Sequence, residues 1–374
     1  MQPPVDPAQL PAPAQRILDP KGPPPLRQMA AKGIAPGLRP HDAITVVVML
    51  AESTDEALAK TAQATLQNLP PPLLMGAMVP ELPAGVLDAL APHYARRADV
   101  MEKLLVLPQL LPSTVEAVAS LASEPVCELV ATNEERLIAN PPIIEKLYLN
   151  KSTRMSTADR ILELAVRHRL ELTGIPAYKE AAAAIQGELI AEAQEEDTPD
   201  DVLFKETDHE ARAVDAKLAS GDTHKLDEET GEEKVAEELE GVSTKIDKMT
   251  PAQKIRRAML GTASERAILV RDHNRLVALA AIKSPLIQEN EVVRISSSRN
   301  VSDDVLAHIA RSRDWTRSYQ IKLNLVSNPR TPMMYVSQLV THLRESDLKK
   351  LAMSKNVSGA VQTAARNQLH RKGK

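Results

Sequence analysis

Apolar residues recur at helical spacing along most of this chain, and the spacing itself repeats. Pro83, Pro112 and Pro141 are separated by 29 residues each. Two sets of apolar positions follow in the same register: Val86, Val115 and Ile144, then Ala89, Val118 and Leu147. Proline is tolerated in the first turn of a helix, where its missing N–H would have no partner. The pattern therefore predicts repeated helix pairs of about 29 residues.

A second repeat occupies the last third of the chain. Asn300, Asn328 and Asn356 are separated by 28 residues each. Apolar residues lie five positions before each Asn (Ile295, Leu323, Leu351) and five positions after it (Val305, Met333, Val361). A polar turn between two helices explains this order, with Ser302, Thr331 or Ser358 available to cap the second helix. Leu323 and Leu351 are expected in the core, where truncation to Ala costs a few kcal/mol.

Changes in composition divide the chain into four segments. Residues 1–41 are rich in Pro and predict a disordered arm, and residues 42–191 predict a helical array. Residues 192–245 carry 19 acidic and 6 basic side chains, a net charge of −13, and predict a disordered acidic linker. Residues 246–374 carry 23 basic and 10 acidic side chains, a net charge of +13, and predict a basic helical array. Because the charges are complementary, we expect the linker to fold back on the basic array.

The turn Asn328-Pro329-Arg330-Thr331-Pro332, together with the string RNVSDDVLAHIA, resembles bacterial leucine-rich-repeat-variant and HEAT-like α-solenoid proteins. In those families an Asn-Pro-x-Thr-Pro turn separates paired helices. Asn300 and Asn356 match only the Asn of that turn. The resemblance covers the last 110 or so residues well and residues 80–190 loosely. It implies an all-α fold with two α-solenoid arrays joined by the acidic linker, and it transfers no catalytic residue.

Signatures of chemistry are missing from the sequence. It contains no phosphate-binding loop and no dinucleotide-binding turn. Its one cysteine, Cys127, excludes thiolate zinc sites and intrachain disulfides, and its nine histidines are not paired at ligand spacing. We therefore expect no catalytic, cofactor or metal site and no enzymatic activity. A cytoplasmic protein without a membrane partner is expected, because the start MQPPVDPAQLPAPAQ does not resemble a signal peptide.

These observations predict a scaffold that binds other proteins, preferably proteins with acidic surfaces. The candidate binding residues are basic positions of the C-terminal array: Arg311, Arg313, Arg317, Lys349 and Lys350. The alternative is a nucleic-acid-binding protein in which Trp315 and Tyr319 stack on bases beside these cations. Burial of both rings in the core, four residues apart on a helix, is the interpretation we favour. The sequence does not specify the oligomeric state.

Overall fold

The structure is a computed structural model that describes residues 5–186, 196–216, 224–226, 233–354 and 356–372. Over these residues the chain forms 24 α-helices and one pair of short antiparallel strands, β1 (His224–Leu226) and β2 (Glu233–Val235). The prediction of an all-α fold is confirmed. The chain divides into two compact units, Met1–Leu172 and Thr173–Lys374. Among the described helices, none combines the length and apolar character needed to cross a membrane.

Unit 1 contains the first twelve helices. They are α1 (Ala12–Leu18), α2 (Pro24–Ala31), α3 (Pro40–Ala51), α4 (Glu56–Gln67), α5 (Pro71–Gly76), α6 (Ala84–Tyr94), α7 (Ala98–Leu104), α8 (Pro112–Leu121), α9 (Glu124–Ala131), α10 (Glu134–Ala139), α11 (Pro141–Leu149) and α12 (Met155–Arg167). Helix α8 packs between α6 and α11, and α9 packs between α7 and α12. Pro83 precedes α6, whereas Pro112 and Pro141 open α8 and α11, as the spacing predicts.

The segment predicted to be a disordered arm instead forms α1 and α2, so that prediction differs from the structure. The reason lies in α3, which buries His41 to Val48 and Leu50 and is therefore covered on nearly all sides. A helix that is apolar all round needs neighbours on every face. Helices α1 and α2 both contact α3 and contribute buried residues such as Ile17 and Ala30. Their prolines lie at the first helical turns, where they do not interrupt the helix.

Unit 2 contains the remaining helices. They are α13 (Tyr178–Ile185), α14 (Pro199–Asp215), α15 (Glu240–Asp247), α16 (Pro251–Leu260), α17 (Ala263–Leu269), α18 (Arg275–Ile282), α19 (Glu289–Ser297), α20 (Asp303–Arg311), α21 (Tyr319–Ser327), α22 (Met333–Leu339), α23 (Glu345–Met353) and α24 (Gly359–Lys372). Helices α16, α18, α20, α22 and α24 each contact the next one in that series. Helices α17, α19 and α21 make a second series of the same kind. Helices α16 to α22 thus pack on the helix two places away in sequence, whereas α23 packs mainly on α24.

Two further segment predictions differ from the structure. Helix α13, which we predicted to end the N-terminal array, packs on α16 and α18 in unit 2. The linker predicted to be disordered contains α14, where Phe204, Thr207 and Ala211 are buried and share one helix face. Net charge alone indicates disorder, but a cationic neighbour makes an acidic helix favourable. Residues 192–195, 217–223 and 227–232 of the predicted linker lie outside the described residues.

The repeated apolar positions of unit 2 agree with burial except in one repeat. Ile295, Leu351, Val305 and Val361 are buried, whereas Leu323 is half-buried and Met333 is exposed. In α21 the core position is taken by Leu325, which is fully buried. Asn324 Nδ2 donates hydrogen bonds to the Val293 carbonyl (2.9 Å) and Ser296 Oγ (3.2 Å) on α19. Leu323, on the other side of Asn324 in sequence, remains half-buried at the surface.

Asparagine side chains connect the ends of helices that lie one repeat apart. Asn328, 4 % exposed, follows α21 and donates from Nδ2 to the carbonyls of Ser296 (3.0 Å) and Ser298 (2.8 Å). Asn150 follows α11 in unit 1 and donates likewise to the carbonyls of Ala119 (2.8 Å) and Ala122 (3.0 Å). The last carbonyls of a helix have no partner within it. These amides supply the missing donors in both units.

Replacing Asn328 with Ala should destabilise unit 2 by about 2 to 3 kcal/mol, because two carbonyls at the end of α19 lose their donor. Asn356 has the same position in the sequence repeat but is exposed, so Asn356→Ala should change stability by less than about 0.5 kcal/mol. Urea unfolding followed by the fluorescence of Trp315, the only Trp, measures both variants. Equal losses would contradict the bridging role of Asn328.

Candidate protein-binding surface

The five predicted basic residues all lie on exposed positions of unit 2. Arg311, Arg313 and Arg317 lie at the end of α20 and in the connection to α21, and the two lysines lie on α23. Acidic neighbours accompany some of these charges. Arg317 is 3.7 Å from Asp314, Lys349 is 2.6 Å from Glu345 and Lys350 is 3.8 Å from Asp347, measured between nitrogen and oxygen. The surface therefore carries mixed charge and is not uniformly positive.

Tyr319, at the start of α21, contacts the start of α23 and so connects the segment that contains Arg311, Arg313 and Arg317 with the helix that contains the two lysines. Its hydroxyl donates to Asp347 Oδ2 (2.5 Å) and accepts a hydrogen bond from the Arg344 backbone N–H (3.0 Å). The guanidinium of Arg344 stacks on the Tyr319 ring, 4.5 Å from its centroid, within the range of a cation–π contact. Burial and the hydrogen bond to Asp347 raise the pKa of the Tyr319 hydroxyl. These contacts fix the start of α23 against the start of α21.

A groove of about 450 Å³ lies beside these contacts, between α21, α23 and the turn after α19. Its apolar lining is Leu323, Pro329, Leu351 and Val357, and its charged lining is Arg299, Asp347 and Lys350. The volume lies within the usual range of ligand-binding pockets. We name this feature the α21–α23 groove. Of the five predicted residues, only Lys350 lines it.

The expectation that Trp315 and Tyr319 enter the core is not met. Both side chains are half-buried, and Trp315 lies in a short turn of 3₁₀-helix, Trp315–Arg317, before α21. Arg299 and Arg344 were not among the predicted residues, although Arg299 directly neighbours a repeat turn. Arg299 precedes the repeated Asn300, and a search for basic residues beside each repeat turn would have selected it.

A second charged cluster lies where α14 meets α16 and α17. The ring of Phe204 lies 5.1 Å from the guanidinium carbon of Arg256 and 4.7 Å from that of Arg257. Arg257 is 1 % exposed at its side chain and forms an ion pair with Asp208 of α14 at 3.1 Å. It also forms a pair with the fully buried Glu265 of α17 at 2.5 Å. The acidic helix is thus bound to the basic part of unit 2, as the complementary charges predict.

The two carboxylates that contact Arg257 respond to it differently. Burial raises the pKa of the Glu265 carboxyl, despite the opposing charge of Arg257. Burial alone would also raise the pKa of Asp208, but the hydrogen bond from Arg212 and the charge of Arg257 outweigh it and lower that pKa. Asp208 therefore remains ionised at neutral pH and contributes a full charge to the contact.

A third cluster lies between α13, α18 and α20. Lys283 Nζ is 2.6 Å from Glu180 Oε1. Burial lowers the pKa of the nearby His308 side chain, and the positive charges of Lys283 and Arg311 lower it further, against the charge of Glu180.

No cluster of three or more metal-binding side chains occurs in the described part of the chain.

Comparison with known proteins gives no relative: no family model, no curated protein and no solved structure matches this chain.

Acid should weaken unit 2 through His308. The folded-state pKa lies below the unfolded value of about 6.5, so the neutral form is favoured in the fold. Its contribution is fully present above the unfolded pKa and is lost as the pH falls through the folded pKa. Urea unfolding at about pH 7.5 and about pH 5.5 should show a loss in the wild type that is smaller in His308→Gln. The same loss in both proteins would contradict this assignment.

Proposed function

We propose that this protein is a non-catalytic scaffold, and that unit 2 binds acidic segments of other proteins in the α21–α23 groove. The groove supports this proposal most directly. Apolar residues Leu323 and Leu351 line it beside the cationic side chains of Arg299 and Lys350. An extended segment with one large apolar residue and flanking carboxylates complements both features.

The charge balance of the groove favours an acidic ligand. Asp347 accepts a hydrogen bond from Tyr319 and lies 3.8 Å from Lys350. Arg299 is exposed and adds a further positive charge at the groove. A carboxylate in the ligand would contact cations at the rim, while its apolar residue fills the space between Leu323 and Leu351. Charge at such a rim accelerates association and selects partners.

The proposal includes the architecture of stacked helix pairs that the sequence indicates. Helices that pack in series on the helix two places away support an α-solenoid of the HEAT-like kind. Such proteins present broad surfaces without a reaction pocket. The acidic helix α14, bound to the basic part of the same unit, would regulate which partners gain access. A cytoplasmic location suits a chain with the single, buried Cys127.

A peptide selection with the full-length protein tests this function. Phage-displayed peptides selected on the wild type should be acidic with one large apolar residue. Their affinity should fall at least about tenfold for Arg299→Glu/Lys350→Glu, because both cations of the groove are reversed. The matched control, Arg313→Glu/Lys349→Glu, makes the same change in net charge at exposed residues that do not line the groove, and should retain the affinity within about threefold.

Two outcomes would contradict the proposal. Equal losses in the groove variant and the control would mean that binding depends on net charge alone. Binding of single-stranded oligonucleotides that is tighter than peptide binding, and equally weakened in both variants, would favour the nucleic-acid alternative.

A further inference from the structure

Helix α14 is bound to unit 2 through a small part of its surface. Of its 17 residues, Asp201, Phe204, Thr207 and Ala211 are buried. Asp201 belongs to the capping box formed with Thr198, which closes the start of the helix. The fully buried contact face is therefore one aromatic ring and two small side chains, and the larger apolar residues Leu203 and Val214 are only half-buried. Burial of so little apolar surface gives limited stabilisation, so the binding of α14 depends strongly on its charged contacts.

These charged contacts are distributed along the whole helix. Lys245 of α15 lies 3.1 Å from both Glu206 and Glu210. At the far end, the Ser264 hydroxyl of α17 donates a hydrogen bond to Asp215. Most of these groups are partly exposed, and ion pairs between exposed groups are weak and screened by salt. The anchor is the pair Phe204 and Asp208, one helical turn apart, at Arg256 and Arg257.

Part of the surface that receives α14 is held by contacts that do not involve α14. Arg257 Nε donates to Glu265 Oε1 at 2.8 Å, and Glu265 Oε2 accepts a hydrogen bond from the Thr262 backbone N–H at 2.7 Å. Glu265 is therefore held by the first turn of α17. The contact between Arg257 and Glu265 does not involve α14. When α14 dissociates, the Arg257 side chain therefore still has a carboxylate partner.

We propose that Arg256 and Arg257, with Ser264 and Lys245 beside them, form a binding site for acidic amphipathic helices of other proteins. We name it the helix-binding site. Its ligand presents an aromatic residue and, four residues later, an Asp, with further carboxylates on the same side. Helix α14 is the internal occupant, and a partner helix with this pattern displaces it. This inference rests on the proposed function only for the general role in protein binding, because it uses a different surface.

The test uses the full-length protein and a fluorescent peptide of residues 197–216, which reproduces α14. The variant Phe204→Ala/Asp208→Ala removes the anchor of the internal helix and leaves the site itself intact. The peptide should bind this variant saturably, and at least about tenfold more tightly than the wild type, where α14 occupies the site. Raising the salt from about 0.05 M to about 0.5 M should weaken binding. The control peptide carries the same two alanines and should not bind.

A second measurement needs no variant. In wild-type protein, hydrogen exchange of α14 should accelerate when unlabelled peptide is added in excess, while α16 and α18 remain protected. Failure of the peptide to alter α14 exchange, or equal binding of the control peptide, would overturn the inference. Neither measurement depends on Arg299 or Lys350. Failure of the helix-binding site is therefore distinguishable from failure of binding in the α21–α23 groove. Conversely, the reversal variant Arg299→Glu/Lys350→Glu should bind the α14 peptide as the wild type does.

Discussion

Short helices that cannot persist alone are the constraint on which this structure depends. Helices α16 to α23 have 7 to 10 residues each. Isolated helices shorter than about 12 to 15 residues are marginal in water. Their stability must come from apolar side chains, such as Leu306 and Leu325, that are buried against the helix two places away. Packing in series also sets the period of the sequence, because equivalent faces must recur once per helix pair.

The same constraint creates many helix ends, and each end exposes carbonyl groups. Asn150 in unit 1 and Asn328 in unit 2 donate to the ends of helices one repeat earlier. Where turns and helix ends accumulate, polar and apolar groups mix at the surface. The α21–α23 groove arises there, since Pro329 and Val357 from two turns lie beside Leu323 and Leu351 from two helices. The groove is therefore a consequence of the packing of short helices and their turns.

The sequence predicted helix type and start positions well, because proline position and apolar period are local properties. It did not predict which asparagine is buried: Asn328 and Asn356 have equal places in the repeat, but only Asn328 reaches the preceding helix end. It also placed Leu323 in the core, because sequence spacing does not report which of the two neighbouring leucines, Leu323 or Leu325, is buried. The assignment of 1–41 and 192–245 to disorder differs from the structure at the described helices α1, α2 and α14, because composition does not report neighbours such as α3 and Arg257. The exposure of the five basic residues agrees with the prediction from charge, whereas the groove depends on three-dimensional packing that no spacing rule gives.

Hydrogen exchange after removal of residues 359–374, which include α24 (Gly359–Lys372), tests the series packing most directly. Helix α24 contacts α22 and α23, so these two helices should lose protection, while α16, α17 and α18 keep theirs. A uniform loss of protection through all helices of unit 2 would indicate one closed core, and unchanged protection of α22 and α23 would show that α24 does not support them. Either result would contradict the account.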